Sequence, residues 1–252
     1  MVADRTVRAT SFGEAADQYD RYRPSPPLAA AEWLVPAGAR RVVDLAAGTG
    51  GFSRVLAQRV DHVVGVELDL RMATVLASRS PGVEVVNGRG EALPVRTASL
   101  DAVLVSSAWH WLDPDVAVPE IARVLRPGGV LGVLWNGPSR EPWVNDLLGR
   151  DQPSQDRAGG DGRRHRALVI PEGQPFSEPE QHLIDWVLPR TPAELVGLAG
   201  TYSRVITLAP DDRRLAAERV AQHIDNHPLL RNRPHIDLPM TARCWRAVRL
   251  RD

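Results

Sequence analysis

The chain has 252 residues, 43% of them hydrophobic and 25% charged, and its 31 basic and 31 acidic side chains leave no net charge. That length allows one sizeable core, or a core with an appended cap. Balanced charge excludes the long-range field of a protein that coats nucleic acid, even though all 31 basic residues are arginine.

No apolar run reaches the ~20 residues that span a bilayer, and MVADRTVRATSF at the N-terminus offers no apolar signal core. The lone Cys244 supports neither a disulfide framework nor a metal site, and reads as a small buried apolar residue. The expectation is a cytoplasmic protein without a membrane partner.

In chain order, SFGEAADQYDRY (11–22) predicts a short amphipathic helix with Phe12, Ala16 and Tyr19 on one face. Ser25 followed by Pro26 signals a second helix start, leading into PPLAAAEWL. Residues 1–35 thus read as an N-terminal helical cap.

From residue 36 the rhythm changes. RVVDL (41–45), HVVGVE (62–67), VEVVN (83–87), DAVLVS (101–106) and VLGVLWN (130–136) are short, β-branched runs of the kind buried on both faces of a parallel sheet. Between them lie the helical patterns GFSRVLAQR, DLRMATVLASR with Asp69 as N-cap, and PDVAVPEIARVL, stopped by Arg126-Pro127-Gly128-Gly129. Strand–helix alternation with short connections predicts a doubly wound α/β core over 36–145.

Residues 150–166 are polar and glycine-rich and read as a flexible loop. The region 167–252 resumes the pattern. HLIDWVL (182–188) predicts a strand, Thr191-Pro192-Ala193-Glu194 a capping box opening a helix to about Ala199, 211–224 a further helix, and 238–250 a closing strand. The whole chain forms one domain on this reading.

The strongest chemical signal is Val43-Asp44-Leu45-Ala46-Ala47-Gly48-Thr49-Gly50-Gly51, placed after the first strand and before a helix. Glycines there let the backbone approach a ligand, and free amides at the helix start favour a negative group. Glu67, at the end of the second strand, is placed to accept the hydroxyl protons of a ribose. The dinucleotide pattern G-x-G-x-x-G fails because the sixth position from Gly48 is Ser53, and a Walker A loop is excluded because the chain has no lysine. A ligand with adenosine and a zwitterionic tail, but no pyrophosphate, fits.

VVDLAAGTGGFSRVLA, VVGVELDLRMATVL, NGRGEALPV, LDAVLVSSAWHWLDPDVAVPEIARVLRPGGVLGVLWN and PWVNDLL, in this order and spacing, resemble the class I S-adenosylmethionine-dependent methyltransferases. The likeness is to the branch that contains the ubiquinone-biosynthesis and trans-aconitate methyltransferases, and it is strongest over residues 11–145. It implies a mostly parallel, seven-stranded Rossmann-like sheet with a reversed last strand, and S-adenosyl-L-methionine as cofactor.

Carried onto this chain, the resemblance sets Asp44, Ala46, Gly48 and Gly50 around the methionine part of the cofactor and Glu67 on the ribose hydroxyls. It sets Leu68 and Met72 on the adenine, Gly90 and Glu91 at the adenine edge, and Ser106 beneath the sulfonium. Tyr19 and Arg23 belong to a cap element that touches the cofactor, where an arginine can pair with its carboxylate. Two departures stand out: Ala46 replaces a frequent glycine, which is tolerable if its φ stays negative, and Arg89 replaces a frequent aspartate at the adenine amino group.

His110, just after the fourth strand, is the candidate catalytic residue, as a general base or as a group that positions the acceptor. Tyr22, Trp109, Trp111 and Tyr202 are candidate walls of an acceptor pocket. No metal is expected. The leading reading is a methyltransferase acting on a small-molecule acceptor at oxygen, as monomer or homodimer, with no nucleic-acid partner. The alternatives are an enzyme of this fold that uses the cofactor for another step, such as cyclisation, and a non-catalytic cofactor-binding protein.

Overall fold

A computed structural model of the chain describes residues 16–148 and 167–251. Strands β1 (Arg41–Leu45), β2 (His62–Glu67), β3 (Val83–Asn87), β4 (Leu100–Ser106), β5 (Leu125–Pro138), β6 (Glu180–Arg190) and β7 (Ile236–Val248) make one seven-stranded sheet in the order β3-β2-β1-β4-β5-β7-β6. The pairs β1–β2, β1–β4, β2–β3 and β4–β5 are parallel. β7 runs antiparallel to both β5 and β6, which is the reversed last strand that the resemblance implies.

The near-continuous apolar runs have the cause expected of them. Val42 faces one core with Ala102, Leu104 and Leu134, closed by Leu34, Phe52, Val55 and Leu56 from α2 (Leu28–Leu34) and α3 (Gly51–Leu56). Its neighbour Val43 faces the other, with Val103, Val105, Leu131 and Val133 beneath Val118 and Ile121 of α5 (Pro114–Val124). Alternate residues of each strand thus enter opposite layers, and each fully buried aliphatic side chain contributes ~1.5–3 kcal/mol.

A third apolar cluster stands apart from these two. Val144 of α6 (Pro142–Leu147), Leu195 and Leu198 of α7 (Pro192–Gly200) and Ile224 of α9 (Pro210–Asn226) pack with Leu238 and Met240 of β7. This is a C-terminal cap, and the short helix α8 (Ser203–Ile206) joins its two longer helices.

The local signals settle most boundaries. Asp69 accepts from the Arg71 amide at 2.9 Å and starts α4 (Leu70–Arg79), and Thr191 and Glu194 form the expected reciprocal capping box. Among the boundaries that differ, two have a clear cause. The second helix begins at Leu28, after Pro27 as N-cap and without a side-chain cap, because each of Pro26 and Pro27 holds the residue before it extended. β5 begins at Leu125, five residues early: Leu125 still pairs with Leu100, the register shifts across Arg126–Gly129, and pairing resumes at Val130 with Ala102.

The residues of the first predicted helix before Ala16 and the loop at 150–166 lie outside the described residues, and the helix is seen as α1 (Ala16–Tyr22). Among the described residues no helix is long and apolar enough to cross a membrane.

Candidate functional site

Between β1 and β4 the winding of the sheet reverses, and such switch points leave a crevice beyond the carboxyl ends of the strands. The glycine loop fills one side of it. Gly48 has φ +59°, and no heavy atom stands within 4 Å of where a Cβ would be, so this face of the loop is open. Gly50 caps α3 at φ +86°, and a Cβ there would strike Leu76 of α4 and Ser80, the C-cap of that helix.

Ala46 has φ +55°, not the negative value expected of it. Its amide-plane direction is set by the next residue, because the Ala47 N–H donates to the Val66 carbonyl at 3.1 Å and turns the chain at the end of β1. Left-handed backbone costs an L-residue ~1–2 kcal/mol.

Two carboxylates lie under this loop. Asp44 is fully buried; its Oδ2 accepts from the Ser53 hydroxyl at 2.6 Å, and its Oδ1 is buried without a hydrogen-bond partner. Burial pushes the Asp44 carboxyl up to about 7, with a further push from the charge of Glu67, against the pull of the Ser53 hydrogen bond. Glu67 is 8% exposed and is also raised, chiefly by burial. Its Oε2 accepts from the Gly48 amide and its Oε1 from the Asp69 amide, both at 2.8 Å. With the Leu68 amide also lowering its pKa through a backbone hydrogen bond, the carboxylate still keeps a lone pair for a further donor.

The other walls come from both caps. Arg23 follows α1 and donates from Nη2 to the Thr201 carbonyl at 3.1 Å. Its guanidinium lies 4.2 Å from the centre of the Tyr202 ring and 5.3 Å from that of Tyr19, and its Nε is buried without a hydrogen-bond partner. Ser106 and Ser107 line the cleft at the end of β4, with Ser107 held at φ +57° while its amide donates to the Leu134 carbonyl at 2.7 Å. Asn136 of β5 lines it too and accepts from Trp186 Nε1 at 3.1 Å.

Of the residues expected at the site, Tyr19, Arg23, Ala46, Gly48, Ser106 and Tyr202 meet in this one cleft. Asp44, Gly50 and Glu67 support its floor. Met72 is buried and Leu68 is 39% exposed at the start of α4, beside Glu67. Gly90 is packed beneath Leu112 and Leu45, and Glu91 beside it is half-buried.

The remaining four stand elsewhere. Trp109 is a core residue and Trp111 packs against the same core. Tyr22 covers Gly197 of α7, and His110 is exposed with its ring 4.4 Å from that of Trp111. Sequence reasoning missed Asp20, Thr49, Arg54, Ser107, Asn136 and Met240, which also line the cleft.

A zwitterionic nucleoside fits these groups. The open face at Gly48 admits a ligand against the backbone, the unpartnered oxygen of Asp44 suits a cationic donor, and the unpartnered Nε of Arg23 suits a carboxylate. The lone pair left on Glu67 suits a hydroxyl donor.

Comparison with known proteins agrees with this geometry. Residues 43–133 match the model of a methyltransferase domain. Over 252 aligned residues the chain is 41% identical to an uncharacterized methyltransferase of Mycobacterium tuberculosis (strain H37Rv), covering 98% of this chain and 99% of that protein. It is also 28% identical, over 59% of this chain and 66% of the relative, to a malonyl-[acyl-carrier protein] O-methyltransferase of Enterobacter lignolyticus. Among solved structures, a proposed type II methyltransferase from Anaeromyxobacter dehalogenans superposes with a TM-score of 0.66 at 25% identity, covering 92% of this chain and 100% of that one.

Proposed function

The chain belongs to the class I methyltransferases, which use S-adenosyl-L-methionine, and we propose that it methylates an oxygen atom of a small-molecule acceptor. The observation that carries the proposal is the cleft itself. It is walled by both caps, floored by the glycine loop and edged by the hydroxyls of Ser106, Ser107 and Tyr202 and the amide of Asn136. Such a concave site with a few converging polar groups suits a small ligand, and zero net charge gives no support to a nucleic-acid acceptor. The similarity to a malonyl-[acyl-carrier protein] O-methyltransferase supports oxygen as the target.

When bound, the cofactor supplies an electrophilic methyl group on a sulfonium, with a neutral thioether as leaving group. The residues of this chain bind and orient. Asp44 and Arg23 would hold the two charged ends of the methionine part and Glu67 the ribose, with Ser106 on the side of the sulfonium. Gly90, Glu91, Leu68 and Met72 bound the adenine. The rings of Tyr19 and Tyr202, 5.3 and 4.2 Å from the Arg23 guanidinium, would help to shield its charge from water. Orientation of this kind can supply ~7–11 kcal/mol towards a bimolecular displacement.

Trp111 and Tyr22, behind the walls, would shape the acceptor site through their packing, as would Trp109 in the core. His110 points to the same role: it is exposed and outside the cleft, and a base must come within hydrogen-bond reach of the proton it takes.

The test is transfer of a labelled methyl group from the cofactor to a panel of hydroxy and carboxylic acids, amines and thiols, with wild type and His110→Ala. Labelled O-methyl product is expected, with kcat of the variant within threefold of wild type. Exclusive N- or S-methylation would refute the oxygen assignment. A thousandfold loss of kcat with unchanged KM would make His110 the base.

A further inference from the structure

Asp20, on α1, touches no part of the glycine-loop signal in sequence, yet it is a buried charge in the cleft wall held by two arginines. Its side chain is only 8% exposed. Arg54 of α3 donates to Oδ1 at 2.8 Å and Arg79 of α4 to Oδ2 at 2.7 Å. Burial raises the Asp20 carboxyl, but the bonds from Arg79, Arg54 and the Thr49 side chain outweigh it and hold the group below its ordinary value.

Arg54 continues the connection. The same guanidinium donates to the Thr49 carbonyl, inside the glycine loop, at 2.9 Å and to the Ser80 hydroxyl at the end of α4 at 3.2 Å. On its far side α1 is anchored to the C-terminal cap, where Tyr22 covers Gly197 and Arg23 reaches Thr201. The cap helix therefore bridges two parts of the molecule; Asp17 also meets Arg79 at 2.7 Å and Ala16 packs with Met72 and Val75, but of the two carboxylates only Asp20 is buried and only Asp20 reaches Arg54.

We propose that Asp20 is a positioning residue for the cofactor site. Through Arg54, Arg79 and Thr49 it docks α1 on the glycine loop, so that cap closure, loop shape and cofactor residence time are one coupled property. The charges are unequal in their need for one another. Arg54 and Arg79 are 31% and 43% exposed and can turn to water, whereas the buried Asp20 has no comparable alternative. Removing the carboxylate thus loosens the cap, leaving the exposed Asp17–Arg79 pair, without stranding a buried cation.

The experiment measures S-adenosylhomocysteine dissociation by stopped-flow tryptophan fluorescence for wild type, Asp20→Asn, Asp20→Glu and Arg79→Met, at 0.05 M and 1 M NaCl, with the thermal midpoint as a check on folding. Asp20→Asn is expected to release the product at least tenfold faster, and Asp20→Glu to recover part of the loss. Release from wild type should quicken with salt, because salt screens the partly exposed arginine contacts, and release from Asp20→Asn, which keeps only the exposed Asp17–Arg79 pair, should quicken less.

A rate for Asp20→Asn within twofold of wild type overturns the proposal. So does weaker binding with an unchanged release rate, or the same salt dependence in both proteins. If Asp20→Asn does not fold, Arg79→Met decides, since Arg79 lies on the outer end of α4 and does not line the cleft. It should speed release three- to tenfold, and a change below twofold overturns the proposal.

Discussion

Replacing Asp44 with asparagine separates the cost of a buried carboxylate from its use. In the folded chain the carboxyl is fully enclosed, keeps one hydrogen bond from Ser53 and titrates at about 7 instead of 3.8. The ionised form is therefore penalised by roughly 4 kcal/mol on folding. Because the folded value lies above the unfolded one, the group supports folding fully below about pH 4. That support drains away as pH rises and is gone a little above pH 7. Asparagine does not titrate, so the stability of wild type relative to Asp44→Asn should fall by roughly 4 kcal/mol between pH 4 and pH 8.

Binding should move the other way. If Asp44 holds the cationic amino group of the cofactor, losing a charge-assisted hydrogen bond costs ~1.5–3 kcal/mol, or about 10- to 150-fold in affinity above pH 7. Wild-type affinity should also rise with pH through 7, as the carboxyl gives up its proton, while that of the variant stays level. Urea unfolding across the pH range and calorimetry with S-adenosylhomocysteine measure the two effects. Parallel stability curves for the two proteins would refute the raised, buried carboxyl assigned to Asp44.

Two substitutions test the rest of the floor. Glu67→Ala should weaken cofactor binding by ~1.5–3 kcal/mol, read by calorimetry, and an unchanged dissociation constant would mean that the ribose lies elsewhere. Gly48→Ala and Gly50→Ala should part company: the first sets a methyl group in open cleft space and lowers affinity at least tenfold for ~1–2 kcal/mol of backbone strain. The second drives a methyl into Leu76 and Ser80 and loses a further ~1–3 kcal/mol of stability, seen as a lower urea midpoint.

The sheet was legible because each strand leaves a signal in its own residues. Val42 and Val43 must both be apolar to face two cores, and Asp69 and Thr191 must be polar to cap helices that begin beside them. The cleft was legible only where a residue acts locally or by resemblance, as at Gly48, Glu67 and Arg23. Asp20 could not be read in this way, since its partners Arg54 and Arg79 lie 34 and 59 residues away and an acid on a short helix carries no mark of them. Asn136 and Trp186, 50 residues apart, are the same case. The aromatic residues after β4 could not be told apart for the opposite reason. Trp109, His110 and Trp111 are adjacent in sequence, but one 3-10 turn sends the first into the core and the second to solvent.

Ala46 and Ser107 show what the two kinds of signal leave out. Neither residue type announces left-handed backbone, yet both adopt it, at φ +55° and +57°, just past the ends of the neighbouring strands β1 and β4. Each turn is fixed by a bond to the next strand outward: Ala47 donates to Val66 of β2 and Ser107 to Leu134 of β5. The two chains are thereby turned at the point where the winding of the sheet divides. Strain of ~1–3 kcal/mol at each position persists only because the surrounding sheet over-determines it. A displacement reaction rewards that rigidity, since donor and acceptor must meet in line and a site that has already settled its geometry has less ordering left to do when they bind. The strain therefore belongs with the proposed chemistry: it sits at the glycine loop proposed to hold the donor and at the strand end proposed to face its methyl group, two points that must keep a fixed separation.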